Sequence, residues 1–191
     1  AVFGLYAAED IVNVNGKIVT SKDSLVGKAV TSKDGRCVFL NDLPLGRYYV
    51  KEMEAPKGYV LSGEVFNLDA SYQGEYVKMI ELKAEFENYP TKLEISKTDI
   101  TGEHELNDAV LSIIDKDGHV VETWKSNGTP HYIERIPTGD YTLREETAPY
   151  GYKIAAEVRF TVEDTKEIQK VSMKDEVVPG KILIEKTDKD T

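Results

Sequence analysis

Apolar and polar residues alternate with a period of two along most of the 191-residue chain. Val158, Phe160 and Val162, for example, are separated by Arg159 and Thr161. Such runs extend over about five to eight residues and end at turn sequences such as Lys-Asp-Gly and Ser-Asn-Gly. The alternation is typical of strands with one buried face, and no long window has the period of an amphipathic helix. The sequence therefore predicts an all-β protein built from antiparallel β-sandwiches.

The chain contains an internal repeat. Asp42–Tyr59 (DLPLGRYYVKEMEAPKGY) matches Arg135–Tyr152 (RIPTGDYTLREETAPYGY), and Lys92–Asp99 (KLEISKTD) matches Lys181–Asp188 (KILIEKTD). Copies about 90 residues apart are whole domains rather than solenoid units. The domains are therefore predicted over residues 1–90 and 91–180, followed by the opening strand of a further repeat over 181–191.

The two predicted domains differ at their start. The second opens with the Lys-Thr-Asp strand, whereas the first has no counterpart of that strand before Ala1–Leu5, which matches Ala109–Ile113. The tail, in turn, is such a strand without a domain after it. The sequence therefore resembles a window cut from a longer tandem array.

Charge and composition exclude several classes of protein. Asp and Glu number 34 against 24 Lys and Arg, a net charge of −10, so a nucleic-acid or anionic-membrane partner is not expected. No run approaches the roughly 20 apolar residues of a membrane span. The single cysteine, Cys37, excludes an intramolecular disulfide and a Cys-based zinc site. His104, His119 and His131 lack metal-ligand spacing and are expected as solvent-exposed side chains in or beside loops, so neither a metal nor a cofactor is predicted.

Residues two apart on a strand share a face, so the alternation places rows of apolar residues in the core. In several predicted strands the last residue of such a row is polar. A lone buried charge costs several kcal/mol unless it is paired or neutralised. Each such group could reach solvent at its strand end, and that alternative stays open for each one alone. The rows are Leu93, Ile95 and Lys97; Tyr141, Leu143 and Glu145; Val171, Met173 and Asp175; Tyr48, Val50 and Glu52; Leu82, Ala84, Phe86 and Asn88; and Ile182, Ile184 and Lys186.

A Lys, a Glu and an Asn or Asp that meet in an apolar core can form an amide. Desolvation lowers the pKa of an amine and raises that of a carboxyl by up to about 3–5 units. A neutral amine is a nucleophile, and a protonated Glu can shuttle the proton to the leaving group. The product is a Lys–Asn amide with loss of ammonia, or a Lys–Asp amide with loss of water.

The strings Tyr-x-Leu-x-Glu-x-x-Ala-Pro-x-Gly-Tyr (141–152) and Ile-Ser-Lys-Thr-Asp (95–99) resemble the Cna B-type, or SpaA-type pilin, domains of Gram-positive surface proteins. The resemblance covers essentially the whole chain in two copies. It implies tandem prealbumin-like β-sandwiches, each with an autocatalytic isopeptide bond. Lys97 would be the amine, Glu145 the catalytic acid and Asp175 the acceptor. In the first domain Glu52 and Asn88 match the acid and the acceptor, while the lysine is missing.

The resemblance implies a structural stalk or pilin-like module of a cell-wall-attached surface adhesin, whose only chemistry is a single-turnover self-cross-link. No Gly-x-Ser-x-Gly, P-loop or dinucleotide-binding pattern points to a turnover enzyme. The expected partners are neighbouring repeats and, through residues 181–191, further copies, with Lys186 placed near Glu52 and Asn88. The alternative is a ligand-binding adhesin that recognises a host matrix protein or glycan through Trp124, Tyr132, Tyr150 and Tyr152.

Overall fold

The computed structural model describes residues 1–39, 42–77 and 79–186. All regular structure in these ranges is β-strand, which confirms the all-β prediction. The described residues therefore contain no helix long and apolar enough to cross a membrane. The chain divides into two compact units. Unit 1 holds Ala1–Thr91 with Arg135–Pro137 and Asp164–Lys166, and unit 2 holds Lys92–Glu134, Thr138–Glu163 and the residues from Glu167 onward.

Unit 2 is a sandwich of two sheets. The four-stranded sheet has the order β12-β11-β8-β9, and the three-stranded sheet has the order β10-β7-β13. Side chains from both sheets, such as Ile95 and Leu143, are almost completely buried between them. The strands are β7 (Lys92–Asp99), β8 (Asn107–Asp115), β9 (Val120–Asn127), β10 (His131–Glu134), β11 (Gly139–Thr147), β12 (Val158–Val162) and β13 (Ile168–Asp175).

The three-stranded sheet is mixed rather than purely antiparallel. β7 lies in its centre, antiparallel to β10 and parallel to β13, with Lys97 in register with Met173. Parallel neighbours need a long connection, and these two are the first and last strands of the unit, so the whole unit separates them. The parallel pairing was not part of the sequence prediction.

Unit 1 reproduces only the larger of these sheets. Its four-stranded sheet has the order β4-β1-β5-β6, and Phe3, Leu5, Tyr48 and Val50 form the core on one face. Among the described residues of unit 1, no three-stranded sheet corresponds to β10-β7-β13. The strands are β1 (Val2–Ala7), β2 (Ile11–Val12), β3 (Ile18–Thr20), β4 (Leu25–Val30), β5 (Gly46–Glu54) and β6 (Val65–Ala70), with β2 and β3 forming a separate ribbon.

The tail after residue 180 has the sequence pattern of a strand, but its described residues do not form one. Residues 181–186 lie in no strand and are exposed. Ile182 and Ile184 keep 88% and 86% of their surface accessible. Residues 187–191 lie outside the described residues, so the opening strand expected over 181–191 stays a prediction.

Candidate functional site

Three polar side chains meet in the core of unit 2. Lys97 comes from β7 and Asp175 from β13, two residues beyond the register partner of Lys97, so both belong to the three-stranded sheet. Glu145 comes from β11 in the opposite sheet, where it pairs with Leu111. The period-two alternation directs each side chain inward from its strand. The two sheets therefore bring the three groups together across the interior.

The three side chains are in direct contact and almost inaccessible to solvent. Lys97 Nζ donates a hydrogen bond to Asp175 Oδ1 and lies 2.8 Å from Glu145 Oε1. Lys97, Glu145 and Asp175 retain 2%, 4% and 1% of their accessible surface. The sequence left open whether these groups reach solvent at the strand ends; in this structure they do not.

A turn after β11 fixes the orientation of Glu145. In the Ala-Pro-x-Gly-Tyr sequence, Tyr152 N donates to Pro149 O, and Gly151 takes a left-handed φ of 86°, a conformation that favours glycine. The turn reverses the chain so that Ala155 N donates to Glu145 Oε2 at 2.7 Å. One oxygen of Glu145 is thereby held by the backbone, while the other faces Lys97.

Burial and neighbouring charges act in opposite directions on Asp175. Burial raises the pKa of its carboxyl, the Lys97 hydrogen bond and charge lower it, and Glu145 raises it again; the balance lies above the usual value. Two carboxylates and one ammonium would leave an uncompensated negative charge in the core, which is costly. A proton shared within the triad removes that charge.

The arrangement contains the reactants of an amide condensation. A buried amine supplies the nucleophile once it is neutral, and a carboxyl that keeps its proton supplies the electrophilic acyl carbon. Glu145 contacts the nitrogen and can carry a proton away from it. Nothing in this step requires a metal or an external cofactor.

Unit 1 contains the counterpart of Glu145, but its described residues do not assemble a triad. Glu52 on β5 is 5% exposed, and its Oε2 accepts a hydrogen bond of 2.8 Å from Ser62 N, the repeat equivalent of Ala155. Asn88 and Lys186, by contrast, are exposed. The row of Leu82, Ala84, Phe86 and Asn88 forms no strand, so the expectation that it ends in the core is wrong for Asn88 here.

The aromatic and histidine candidates are distributed differently from the sequence expectation. His131 begins β10, directly after the loop at residues 128–130, but it is partly buried rather than exposed. Its ring stacks on Trp124 with ring centroids 4.3 Å apart, and its Nε2 lies 2.7 Å from Glu122 Oε1. Tyr150 is fully exposed at the turn after β11. Trp124, on β9 of the four-stranded sheet, thus packs against a residue of the three-stranded sheet, which weakens its expected role in a ligand platform.

Asp115, Asp117 and His119 approach one another closely enough for a metal ion. The Asp115 carboxylate already accepts hydrogen bonds from the backbone of Asp117 and His119 in the β8–β9 hairpin. A turn-forming Asp accounts for this geometry.

The model of the SpaA prealbumin-like fold domain matches residues 1–84 and again residues 91–177. The chain belongs to this SpaA family. The two matches correspond to the two compact units, which are called the first and second SpaA domains from here on. The prediction of tandem prealbumin-like domains is thereby confirmed.

Several solved structures resemble this chain. The Bacillus anthracis TIE protein is 29% identical with a TM-score of 0.50; the match covers 92% of this chain and 30% of that protein, so the chain spans less than a third of its length. GBS52, the minor pilin of Streptococcus agalactiae, is 18% identical with a TM-score of 0.43 over 97% of this chain and 86% of that one. The C-terminal fragment of the pilus adhesin SpaC from Lactobacillus rhamnosus GG is 14% identical with a TM-score of 0.48. That match covers 95% of this chain and 90% of the fragment. No curated protein matches the chain.

Sequence reasoning missed the backbone donors of both SpaA domains. Ser62 N and Ala155 N hold Glu52 and Glu145, and Lys97 N donates to Glu105 Oε2 at 3.0 Å. A backbone N–H is present whatever the side chain, so residue type gives no signal for it. The repeat could have indicated that the two donors are related, because Ser62 and Ala155 occupy equivalent positions in it.

We expect Lys97→Met to make the stability of the second SpaA domain depend on pH. Without Lys97 the contributions that lower the pKa of Asp175 are lost, while burial and Glu145 still raise it. A folded pKa above the unfolded value of about 3.9 means that the stabilisation is complete below that pH and is lost as the pH rises through the folded pKa. Thermal unfolding followed from pH 4 to pH 8 should show this decline.

The matched control is Lys97→Met combined with Asp175→Asn. Asn cannot ionise, so the decline with rising pH should be smaller in the double variant. Equal pH dependence in both variants would contradict the assignment to Asp175.

Proposed function

We propose that the chain is a structural stalk or pilin-like module of a Gram-positive cell-surface adhesin, stabilised by an autocatalytic Lys97–Asp175 isopeptide bond in its second SpaA domain. One observation carries the proposal: Lys97 Nζ contacts both Asp175 and Glu145 inside the core. The family match and the pilin names among the similar structures support the module's class. The proposed location is the bacterial surface.

The proposed reaction is a condensation between two side chains. Neutral Lys97 Nζ attacks Cγ of the protonated Asp175 carboxyl, and a C–N bond forms. Glu145 takes a proton from the nitrogen and returns it to the departing oxygen, so one C–O bond breaks and water leaves. The reaction occurs once per molecule and converts two ionisable buried groups into a neutral amide.

The bond would join the first and last strands of the domain. Lys97 and Asp175 are 78 residues apart, and closing a loop of that length stabilises a domain by roughly 4–5 kcal/mol on the entropy estimate used for disulfides. A chain with a single cysteine cannot form an intramolecular disulfide. The amide would supply the same kind of covalent constraint in an extracellular protein.

Partners of such a module are neighbouring repeats of the same surface protein. A second mode would be one in which residues 181–191 engage a further copy. The cross-link is a modification of the module itself, so we assign no turnover activity to the chain.

Tryptic digestion tests the cross-link. Trypsin cleaves after a free lysine but not after an acylated one, so the wild-type digest should contain a branched peptide that joins the segments of Lys97 and Asp175. Lys97→Arg keeps the positive charge but cannot form this lysine amide. It should restore cleavage at position 97 and remove the branched peptide. Two separate linear peptides from the wild-type protein would contradict the proposal.

A further inference from the structure

Lys97 lies at a break in the hydrogen-bond ladder on one edge of β7. On that edge, β10 pairs only with the first half of the strand, from Lys92 to Ile95. The other edge is continuous, because β13 pairs with β7 along its whole length. The residue that carries the reacting amine is therefore held by a regular strand on one side only.

A short segment before β8 lies beside the second half of β7. Leu106 N donates to Lys97 O at 2.7 Å, and Thr98 lies opposite Glu105. Regular antiparallel pairing would return a hydrogen bond from Lys97 N to the Leu106 carbonyl. The chain, however, leaves the three-stranded sheet at this point, because Asn107 begins β8 in the opposite sheet.

The side chain of Glu105 takes the place of that carbonyl. Its Oε2 accepts a hydrogen bond of 3.0 Å from Lys97 N. A buried backbone N–H without an acceptor costs free energy comparable to a lost hydrogen bond, and a carboxylate is a stronger acceptor than a neutral carbonyl. Glu105 is half-buried, next to a lysine that is almost completely buried. The carboxylate therefore holds the backbone of Lys97 where β10 does not reach.

The loop after β7 returns the Glu105 carboxylate to the strand. Asp99 Oδ1 accepts hydrogen bonds from Thr101 N and Gly102 N at 3.1 and 3.0 Å. Gly102 takes a left-handed φ of 82°, a conformation that favours glycine. Asp99 N then donates to His104 O at 3.0 Å, which closes the turn. Glu105 is thus placed by a hydrogen-bonded turn.

The position of Lys97 matters because its amine must reach two carboxyls on two other strands. Nζ donates to Asp175 Oδ1 on β13 and lies 2.8 Å from Glu145 Oε1 on β11. A misplacement of about 1 Å can slow a reaction about 100-fold, even when its cause lies away from the reacting atoms. A shift of the Lys97 backbone would move the amine relative to both carboxyls.

We propose that Glu105 is a positioning residue for the Lys97–Asp175 condensation and acts through the backbone of Lys97. The inference rests on the proposed function, because it concerns the same reaction. The step itself is unchanged: the bond between Nζ and Cγ forms, and water leaves. Glu105 Oε2 binds the backbone nitrogen of Lys97 rather than its amine, so the proton transfer stays with Glu145. Glu105 sets the rate through the geometry of the amine.

The test follows the loss of water in newly made chains. The 191-residue chain is produced by cell-free synthesis, synthesis is stopped, and intact masses under denaturing conditions are recorded over time. Limited proteolysis of the same samples gives the folded fraction, so that the rate is expressed per folded chain. A substitution that only impairs folding lowers that fraction and leaves this rate unchanged.

Substitutions of Glu105 separate hydrogen bonding, reach and charge. Glu105→Gln keeps an acceptor oxygen at the same distance from the backbone and should retain most of the wild-type rate. Glu105→Met fills a similar space without an acceptor and should lose water more slowly by a factor on the order of ten. Glu105→Asp keeps the charge but is one methylene shorter, so it should be slowed like Glu105→Met.

The matched control is Glu103→Met in the same loop. Glu103 is exposed, so this change should leave the rate per folded chain unaltered. A wild-type rate in Glu105→Met overturns the inference. So does a wild-type rate in Glu105→Asp combined with a slow Glu105→Gln, because charge rather than the hydrogen bond would then set the rate. Should Glu105→Met yield no folded chains, equal rates in Glu105→Gln and Glu105→Asp overturn the inference.

The same time course distinguishes this inference from the proposed function. A wild-type chain that keeps its full mass at all times refutes the Lys97–Asp175 bond, and the role of Glu105 with it. A wild-type chain that loses one water no faster than Glu105→Met refutes the role of Glu105 alone.

Discussion

Glu145→Gln is expected to lower the melting temperature of the second SpaA domain by about 15–40 °C. Gln keeps the size of Glu but cannot carry the proton, so the Lys97–Asp175 amide does not form. Without the amide, the domain loses the roughly 4–5 kcal/mol of stability that closing the 78-residue loop provides. Each kcal/mol shifts the melting temperature of a domain of this size by about 4–8 °C. Differential scanning calorimetry measures the change directly.

The matched control is Glu52→Gln in the first domain. Glu52 is buried and held by the backbone like Glu145, but no lysine among the described residues contacts it. This change should leave both the melting of the second domain and the mass of the monomer unchanged. A Glu145→Gln variant that melts at the wild-type temperature would contradict the role of Glu145 in forming a stabilising bond.

Stretching a single wild-type molecule should release less chain than stretching Lys97→Arg. β7 and β13 are adjacent parallel strands at the two ends of the second domain, so a force on the chain ends acts on them first. With the amide in place, the 78 residues between Lys97 and Asp175 cannot extend. At about 3.3–3.6 Å per residue, roughly 260–280 Å of chain stays hidden.

Force spectroscopy measures this hidden length as the difference in contour-length gain between the two proteins. The first SpaA domain serves as an internal reference, because its unfolding step should be the same in both. An equal total gain in contour length for wild type and Lys97→Arg would show that no amide joins Lys97 and Asp175.

The alternation of the sequence was sufficient to predict which side chains enter the core of the second domain. Leu93 and Ile95 are buried together with Lys97, and Tyr141 and Leu143 together with Glu145. A period-two pattern fixes the face of each residue once the strand exists. The repeat added the domain organisation, and the resemblance of the Glu-x-x-Ala-Pro-x-Gly-Tyr string added the family.

The alternation could not predict features that depend on which strands are neighbours. The parallel pairing of β7 with β13 joins segments from opposite ends of the domain, and no local pattern encodes it. The same limit explains the wrong expectation for Asn88. Its row has the right alternation, but a strand also needs a hydrogen-bonded partner strand, and residues 81–88 have none within the described part of the chain.

The mass of the intact wild-type chain under denaturing conditions tests the central claim most directly. We predict a wild-type monomer lighter than its sequence mass by one water, and no such deficit in Glu145→Gln or Lys97→Arg. A wild-type monomer with the full sequence mass would contradict the Lys97–Asp175 bond.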